Sequence, residues 1–244
     1  RMVEATRILI ADRVAQEGID LLRAQLPEAQ IDERPGLKPE QLRAVIGNYT
    51  ALIVRSETQV TADIVAAATQ LKIVGRAGVG VDNIDIEAAT QQGIMVVNSP
   101  TGNIIAAAEH TIAMLMALAR QIPAANSSTK SGKWEKSRFL GVEVRNKVLG
   151  IIGLGKVGTE VARRAQGLEM QIIAFDPYVA PEHARKLDVT MLSMEEVLKQ
   201  ADFVTLHTSL TGGPKGTRGL IGAHELSLLK PGARLINCAR GGLI

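Results

Sequence analysis

The strongest constraint on this 244-residue chain is a strand that runs into a glycine pattern and out into a helix. Val148-Leu149-Gly150-Ile151-Ile152 is an aliphatic run suited to a buried strand. Gly153-Leu154-Gly155-Lys156-Val157-Gly158 follows without a break, and residues 159–166 have helical patterning. A G-x-G-x-x-G string alone is common; between a strand and a helix it specifies a geometry. The first glycine makes a tight turn, the second lets main chain approach a diphosphate, and the third lets the helix pack close to the strand. The diphosphate then lies against a helix N-terminus, where free N–H groups and the helix dipole favour negative charge. Asp176 closes the next aliphatic run, 171–175, where a carboxylate accepts from both ribose hydroxyls and repels a 2′-phosphate. Pro177 stands where an arginine could have received that phosphate. The pattern predicts NAD rather than NADP.

The rest of the chain agrees with a parallel sheet covered by helices. In the first half, 7–11, 29–32, 51–54, 71–74 and 94–97 read as strands, with helices through Gly18 to Leu22, from Pro39, and over 62–68 behind Thr61. In the second half 148–152, 171–175, 203–206 and 234–237 read as strands. The turn-rich Asn98-Ser99-Pro100-Thr101-Gly102 divides them, predicting domains 1–100 and 101–244. Residues 106–120 predict a buried helix, and 126–147 a polar, basic arm around Trp134 and Phe139.

Composition narrows the class further. Hydrophobic residues make up 46% but aromatics only 2%, so the cores are aliphatic, which suits parallel strands and leaves no base-stacking platform for nucleic acid. The net charge of +3 is too small and too dispersed to require a polyanion partner. Cys238 is the single cysteine and forms no internal disulfide, the four histidines are scattered with no metal-ligand spacing, and no apolar stretch is long enough to span a bilayer. The expected location is cytoplasmic, or an organelle lumen after loss of a transit peptide.

Five ordered segments carry a more specific resemblance: Gly75-Arg76-Ala77-Gly78-Val79-Gly80-Val81-Asp82-Asn83-Ile84-Asp85, Asn98 to Asn103, Gly132-Lys133-Trp134, Gly150 to Gly158, and Asn237-Cys238-Ala239-Arg240-Gly241-Gly242. Together they resemble the D-isomer-specific 2-hydroxyacid dehydrogenases. The wording of 54–58 and 237–242 is closest to members that oxidise a phosphorylated hydroxyacid in amino-acid biosynthesis. The resemblance implies an α/β fold of two parallel-sheet domains: a flavodoxin-like substrate domain and a Rossmann NAD-binding domain truncated at its C-terminus. A cleft between them would carry hydride transfer from C2 of the acid to NAD. It implies that Arg240 holds the substrate carboxylate and polarises the keto oxygen, and that Arg55 takes the phosphate. Gly78, Val79 and Asn103 would contact the acid group. Gly153, Gly155, Lys156, Val157, Gly158, Asp176, Thr208, Cys238, Ala239 and Arg240 would line the cofactor. A homodimer is implied, through the 126–147 arm.

The family's general base is a histidine paired with a glutamate beyond the Ala-Arg-Gly-Gly segment, and this sequence stops at Ile244. The expectation is therefore a fragment of low activity. His110 and His207 read as structural, His183 and His224 as solvated, and Cys238 as a buried small residue rather than a nucleophile. The 211–216 loop looks longer than the family's. Two alternatives stand beside the main reading: an NAD-sensing interaction protein on the same scaffold, and a hydroxypyruvate or glyoxylate reductase.

Overall fold

The protein is described by a computed structural model covering residues 6–213 and 216–244. Arg1 to Ala5, and Pro214 and Lys215 of the loop expected to be long, lie outside the described residues. The chain divides into two compact units between Asn103 and Ile104.

The first unit alternates strand and helix: β1 (Arg7–Ile10), α1 (Gln16–Gln25), β2 (Gln30–Glu33), α2 (Pro39–Val45), β3 (Ala51–Val54), α3 (Ala62–Ala67), β4 (Ile73–Arg76), α4 (Ile86–Gln91) and β5 (Met95–Asn98). All pairings are parallel and the order is β2-β1-β3-β4-β5, the flavodoxin-like arrangement. Leu9, Leu52, Val54 and Val74 pack with Leu42, Ile46, Ile64 and Val65 in an aliphatic core. One strand falls two residues later than the 71–74 expected. The Leu71 N–H still closes the turn leaving α3 on the Ala68 carbonyl (3.1 Å), and pairing with β3 and β5 runs on through Gly75 and Arg76. Arg76 is thereby carried to a strand end.

The second unit opens with α5 (Ile104–Ala119) and α6 (Ile122–Lys130). It continues through β6 (Val148–Ile152), α7 (Lys156–Gly167), β7 (Gln171–Phe175), α8 (Pro181–Lys186), β8 (Thr190–Met191), α9 (Met194–Gln200), β9 (Phe203–Leu206), α10 (Ala223–Leu228) and β10 (Arg234–Asn237). Its parallel sheet has the order β10-β9-β6-β7-β8. Alternate residues of β6 serve opposite faces, as the two-residue period of a strand requires. Leu149 and Ile151 pack with Leu115, Val161 and Ala162, whereas Ile152 packs with Val197, Leu198 and Val204.

Helix α5 departs from expectation. Only the stripe Ala108, Thr111, Leu115 and Ala119 is buried, while Ile105, Met114 and Leu118 are exposed, because the helix has one face on α7 and the other on solvent. The arm also holds more structure than its polar composition suggested. Pro123 falls in the first turn of α6, a position it favours, and Ser128 Oγ donates to Glu135 at 2.7 Å to fold the chain back.

Candidate functional site

In the second unit, strands to either side of β6 are reached by connections running in opposite directions, β7 and β8 on one side and β9 and β10 on the other. In an open parallel sheet, ligands bind outside the carboxyl ends of the strands at such a switch point. Four strand-end segments converge there: the 153–155 turn after β6, Asp176 after β7, His207-Thr208 after β9, and 238–240 after β10.

Gly153 turns with φ +97°, and its missing Cβ would lie 2.8 Å from the carbonyl carbon and oxygen of His207 and 3.0 Å from Thr208 Cγ2. Gly158 sits buried in the first turn of α7, and a Cβ there would strike the Gly153 carbonyl oxygen. Gly155 caps the helix and faces open space, with nothing within 4 Å of where its Cβ would be. Lys156 and Val157 follow as the first two helical residues.

Asp176 lies at the glycine turn. Its Oδ2 accepts from the Leu154 N–H at 2.8 Å and its Oδ1 from the Tyr178 N–H at 2.8 Å. Each carboxylate oxygen can accept more than one hydrogen bond, so capacity for ribose hydroxyls remains.

After β10, Asn237 folds the chain on itself: its Oδ1 accepts from the Ala239 N–H at 3.1 Å and its Nδ2 donates to the Arg240 carbonyl at 2.9 Å. The Arg240 guanidinium donates to the Ala239 carbonyl at 3.0 Å. Asn237 was quoted in the sequence without a task, and the structure gives it one, holding the turn that carries Cys238, Ala239 and Arg240. Cys238 is half-buried beside the core rather than fully enclosed, because it follows the strand instead of lying within it.

The same residues fit a dinucleotide. Space stands open over Gly155 at the start of α7, and beside the turn the Thr208 Oγ1 is buried with no hydrogen-bond partner among the described residues. A buried hydroxyl without a partner is uncommon, and one lining a ligand site finds its partner on the ligand.

In the first unit, Arg55 stands exposed just past β3, its Nη1 donating to the Arg13 carbonyl at 3.3 Å. Gly78 and Val79 follow β4. The Gly78 N–H donates to the Arg76 carbonyl at 2.8 Å, and the Arg76 guanidinium packs against the Gly78 α-carbon. Asn98 Nδ2 donates to the Val79 carbonyl at 2.6 Å, and Asn103 is exposed at the end of the unit.

The histidines separate clearly. His110 and His224 are exposed on helices. His183 is exposed as expected, yet its Nε2 lies 3.0 Å from Thr159 Oγ1 on α7. The Nε2 of His207 lies 3.0 Å from the fully buried Thr205 Oγ1, and burial pushes the imidazole pKa down to about 4. Its ring is neutral at pH 7 and tied to Thr205. Among the described residues no cluster of His, Cys, Asp or Glu could hold a metal ion, and no helix is long and apolar enough to cross a membrane.

Residues 112–244 match the family model of the D-isomer specific 2-hydroxyacid dehydrogenase NAD binding domain. The chain is 48% identical over 244 residues to a D-3-phosphoglycerate dehydrogenase of Synechocystis sp., covering 100% of this chain and 43% of that protein. It is 46% identical over 238 residues to one of Archaeoglobus fulgidus, covering 98% and 44%. It therefore spans less than half the length of these relatives. Among solved structures, the NAD+-bound 3-phosphoglycerate dehydrogenase of Entamoeba histolytica superposes with a TM-score of 0.81 at 30% identity, covering 98% of this chain and 74% of that one.

Proposed function

The chain belongs to the D-isomer-specific 2-hydroxyacid dehydrogenase family, and from that premise we propose that the protein oxidises 3-phospho-D-glycerate to 3-phosphohydroxypyruvate with NAD. The carrying observation is the contact between Asp176 and the Leu154 N–H, which sets a ribose-binding acid against the diphosphate-binding turn. NAD, when bound, supplies the acceptor for the hydride that leaves C2 of the acid. Gly153, Gly155, Lys156, Val157 and Gly158 cradle its diphosphate, Asp176 its ribose, and Thr208, Cys238 and Ala239 its reactive end. Arg240 holds the substrate carboxylate and stabilises charge on the C2 oxygen, a task suited to a planar, permanently charged donor fork. As the hydride leaves, the C2 hydroxyl proton passes to a general base other than the four histidines of this chain.

The first unit, which ends at Asn103, supplies the substrate contacts Arg55, Gly78, Val79 and Asn103, and the second the cofactor contacts. Two copies associate through the 126–147 arm, where Trp134 (84% exposed) and Leu140 (75%) stand out; exposed apolar side chains of this kind support a partner.

The test is a titration of the protein and its Asp176→Ala variant with NAD and NADP. Loss of two charge-assisted hydrogen bonds should weaken NAD by at least about tenfold while NADP binding holds or improves. NAD affinity that is indifferent to the substitution would remove Asp176 from the cofactor site. A second measurement addresses the acid: Arg55→Ala should raise the KM for 3-phosphoglycerate by about tenfold and that for an unphosphorylated 2-hydroxyacid by less than about twofold. Equal losses on both substrates would exclude the phosphate role.

A further inference from the structure

Among the described residues of the first unit, the buried polar side chains are Asp12, Thr58 and Asn83, and all three meet at the short 55–58 loop that carries Arg55. Asp12, only 2% exposed, follows β1. Its Oδ2 accepts from the Arg55 N–H at 2.6 Å, and its two oxygens accept from the Thr58 N–H at 3.1 and 3.2 Å. Its Oδ1 also accepts from the Thr58 hydroxyl at 2.5 Å. Asn83, 7% exposed, comes from the loop after β4 and donates through Nδ2 to the Arg55 carbonyl at 2.8 Å and the Thr58 carbonyl at 2.7 Å. The N–H and C=O groups at both ends of the loop are thus taken by two buried side chains from neighbouring strand ends. Asn83 is itself pinned, its carbonyl accepting from the Val60 N–H at 2.8 Å.

Burying a carboxylate is expensive unless its oxygens are satisfied, and Asp12 has no cationic partner among the described residues. Its negative charge is directed at neutral donors of a single loop. Ser56 and Glu57, between the anchored Arg55 and Thr58, are exposed. The turn after β1 also grips Arg55 at its far end, where Nη1 donates to the carbonyl of Arg13. Arg55 is therefore held at main chain and guanidinium alike by consecutive residues, Asp12 and Arg13. An anion-binding arginine fixed before its ligand arrives loses less freedom on binding than one on a mobile loop.

We propose that Asp12 and Asn83 are positioning residues that clasp the 55–58 loop and hold Arg55 ready for the substrate phosphate. The proposal rests on the reading of Arg55 given above. Asp12→Ala in the full-length protein should raise the KM for 3-phosphoglycerate about tenfold, leave kcat within about threefold, and leave NADH affinity and the KM for an unphosphorylated 2-hydroxyacid unchanged. Asp12→Asn should stay within about threefold of the parent. One oxygen still accepts the amides while the new NH2 can donate to the Thr58 hydroxyl. In an Arg55→Ala background, Asp12→Ala should add nothing to the KM. If Asp12→Ala fails to fold, Thr58→Val, which removes one donor at nearly constant volume, should give the same selective rise. A loss shared by both substrates, or one that persists in full without Arg55, overturns the clasp while leaving the Arg55 assignment standing. An Arg55→Ala protein with unchanged phosphate selectivity ends that assignment, and the clasp's purpose with it.

Discussion

Gly158→Ala is expected to destroy measurable NAD binding, a loss of at least about 100-fold, and to lower the free energy of unfolding by about 3 kcal/mol. The added methyl group lands on the Gly153 carbonyl oxygen, with Ile151 Cγ2 3.3 Å away on the other side, so there is no flexible side chain to yield. Either α7 slides along β6 or the Gly153 turn rotates. Both shift the helix N-terminus from the diphosphate position, and the core loses packing among Leu149, Ile151, Val161 and Ala162. Gly155→Ala is the matched control. Its Cβ enters open space and its φ of −73° suits an alanine, so stability should change by less than about 0.5 kcal/mol. Cofactor affinity should nonetheless fall, because the methyl group occupies the space proposed for the diphosphate. Denaturant unfolding and NADH fluorescence titration on both variants separate the effects. A Gly158→Ala protein with parental stability and affinity would contradict the close helix–strand approach, and a Gly155→Ala protein with parental affinity would move the diphosphate elsewhere.

The same local logic explains which parts of the molecule were legible in the sequence. Strands β3, β6, β7 and β9 match their aliphatic runs, because strands inside a parallel sheet covered on both faces need continuous apolar sequence. The glycine turn could be read because Gly153 and Gly158 each answer a separate steric demand within six residues. β8 could not be read: it is a two-residue pairing set by its neighbour β7 rather than by any pattern of its own. Helices α8, α9 and α10, of six or seven residues, are too short for a stable period, although Ser193 and Glu196 form a capping box that marks the start of α9. α5 misled because its composition is apolar all round, and which flank meets the protein is decided by α7, not by α5.

The candidate site divides in the same way. Asp176 and the 153–158 turn were legible because they are local to one strand–helix unit. Asp12 was not, since its partners lie 43 and 46 residues away on another strand end and only the sheet order brings them together. An aspartate one residue past a β1-like run is an ordinary turn former in sequence, and its burial is a property of the assembled sheet.

The folded protein should lose about 2 kcal/mol of stability between pH 7 and pH 5, and His207→Gln should remove most of that loss. Burial holds the His207 imidazole near pKa 4 in the folded state, against 6.5 in an ordinary setting, so the unfolded chain binds its proton first. Stability then rises with pH across the window from about 4 to 6.5 and is lost progressively as the pH falls through it, approaching about 3 kcal/mol at the lower end. The upper part of that window isolates the histidine. The carboxylates held below their ordinary values, among them Asp32 by the Tyr49 hydroxyl, Glu160 by Arg164 and Glu196 by Ser193, lose their contribution only as the pH falls below their ordinary range near 4 to 4.5. Glutamine can keep a hydrogen bond to Thr205 without a titrating group, so its unfolding free energy should be nearly flat from pH 7 to pH 5. A parent protein equally stable at both values, or a variant with the parent's slope, would refute the assignment. Protonation also bears on the cofactor. A charged ring is driven out from Thr205 toward water, and the main chain it pulls on is the His207 carbonyl that packs against Gly153. NADH affinity should therefore weaken over the same pH interval in the parent and hold steady in His207→Gln.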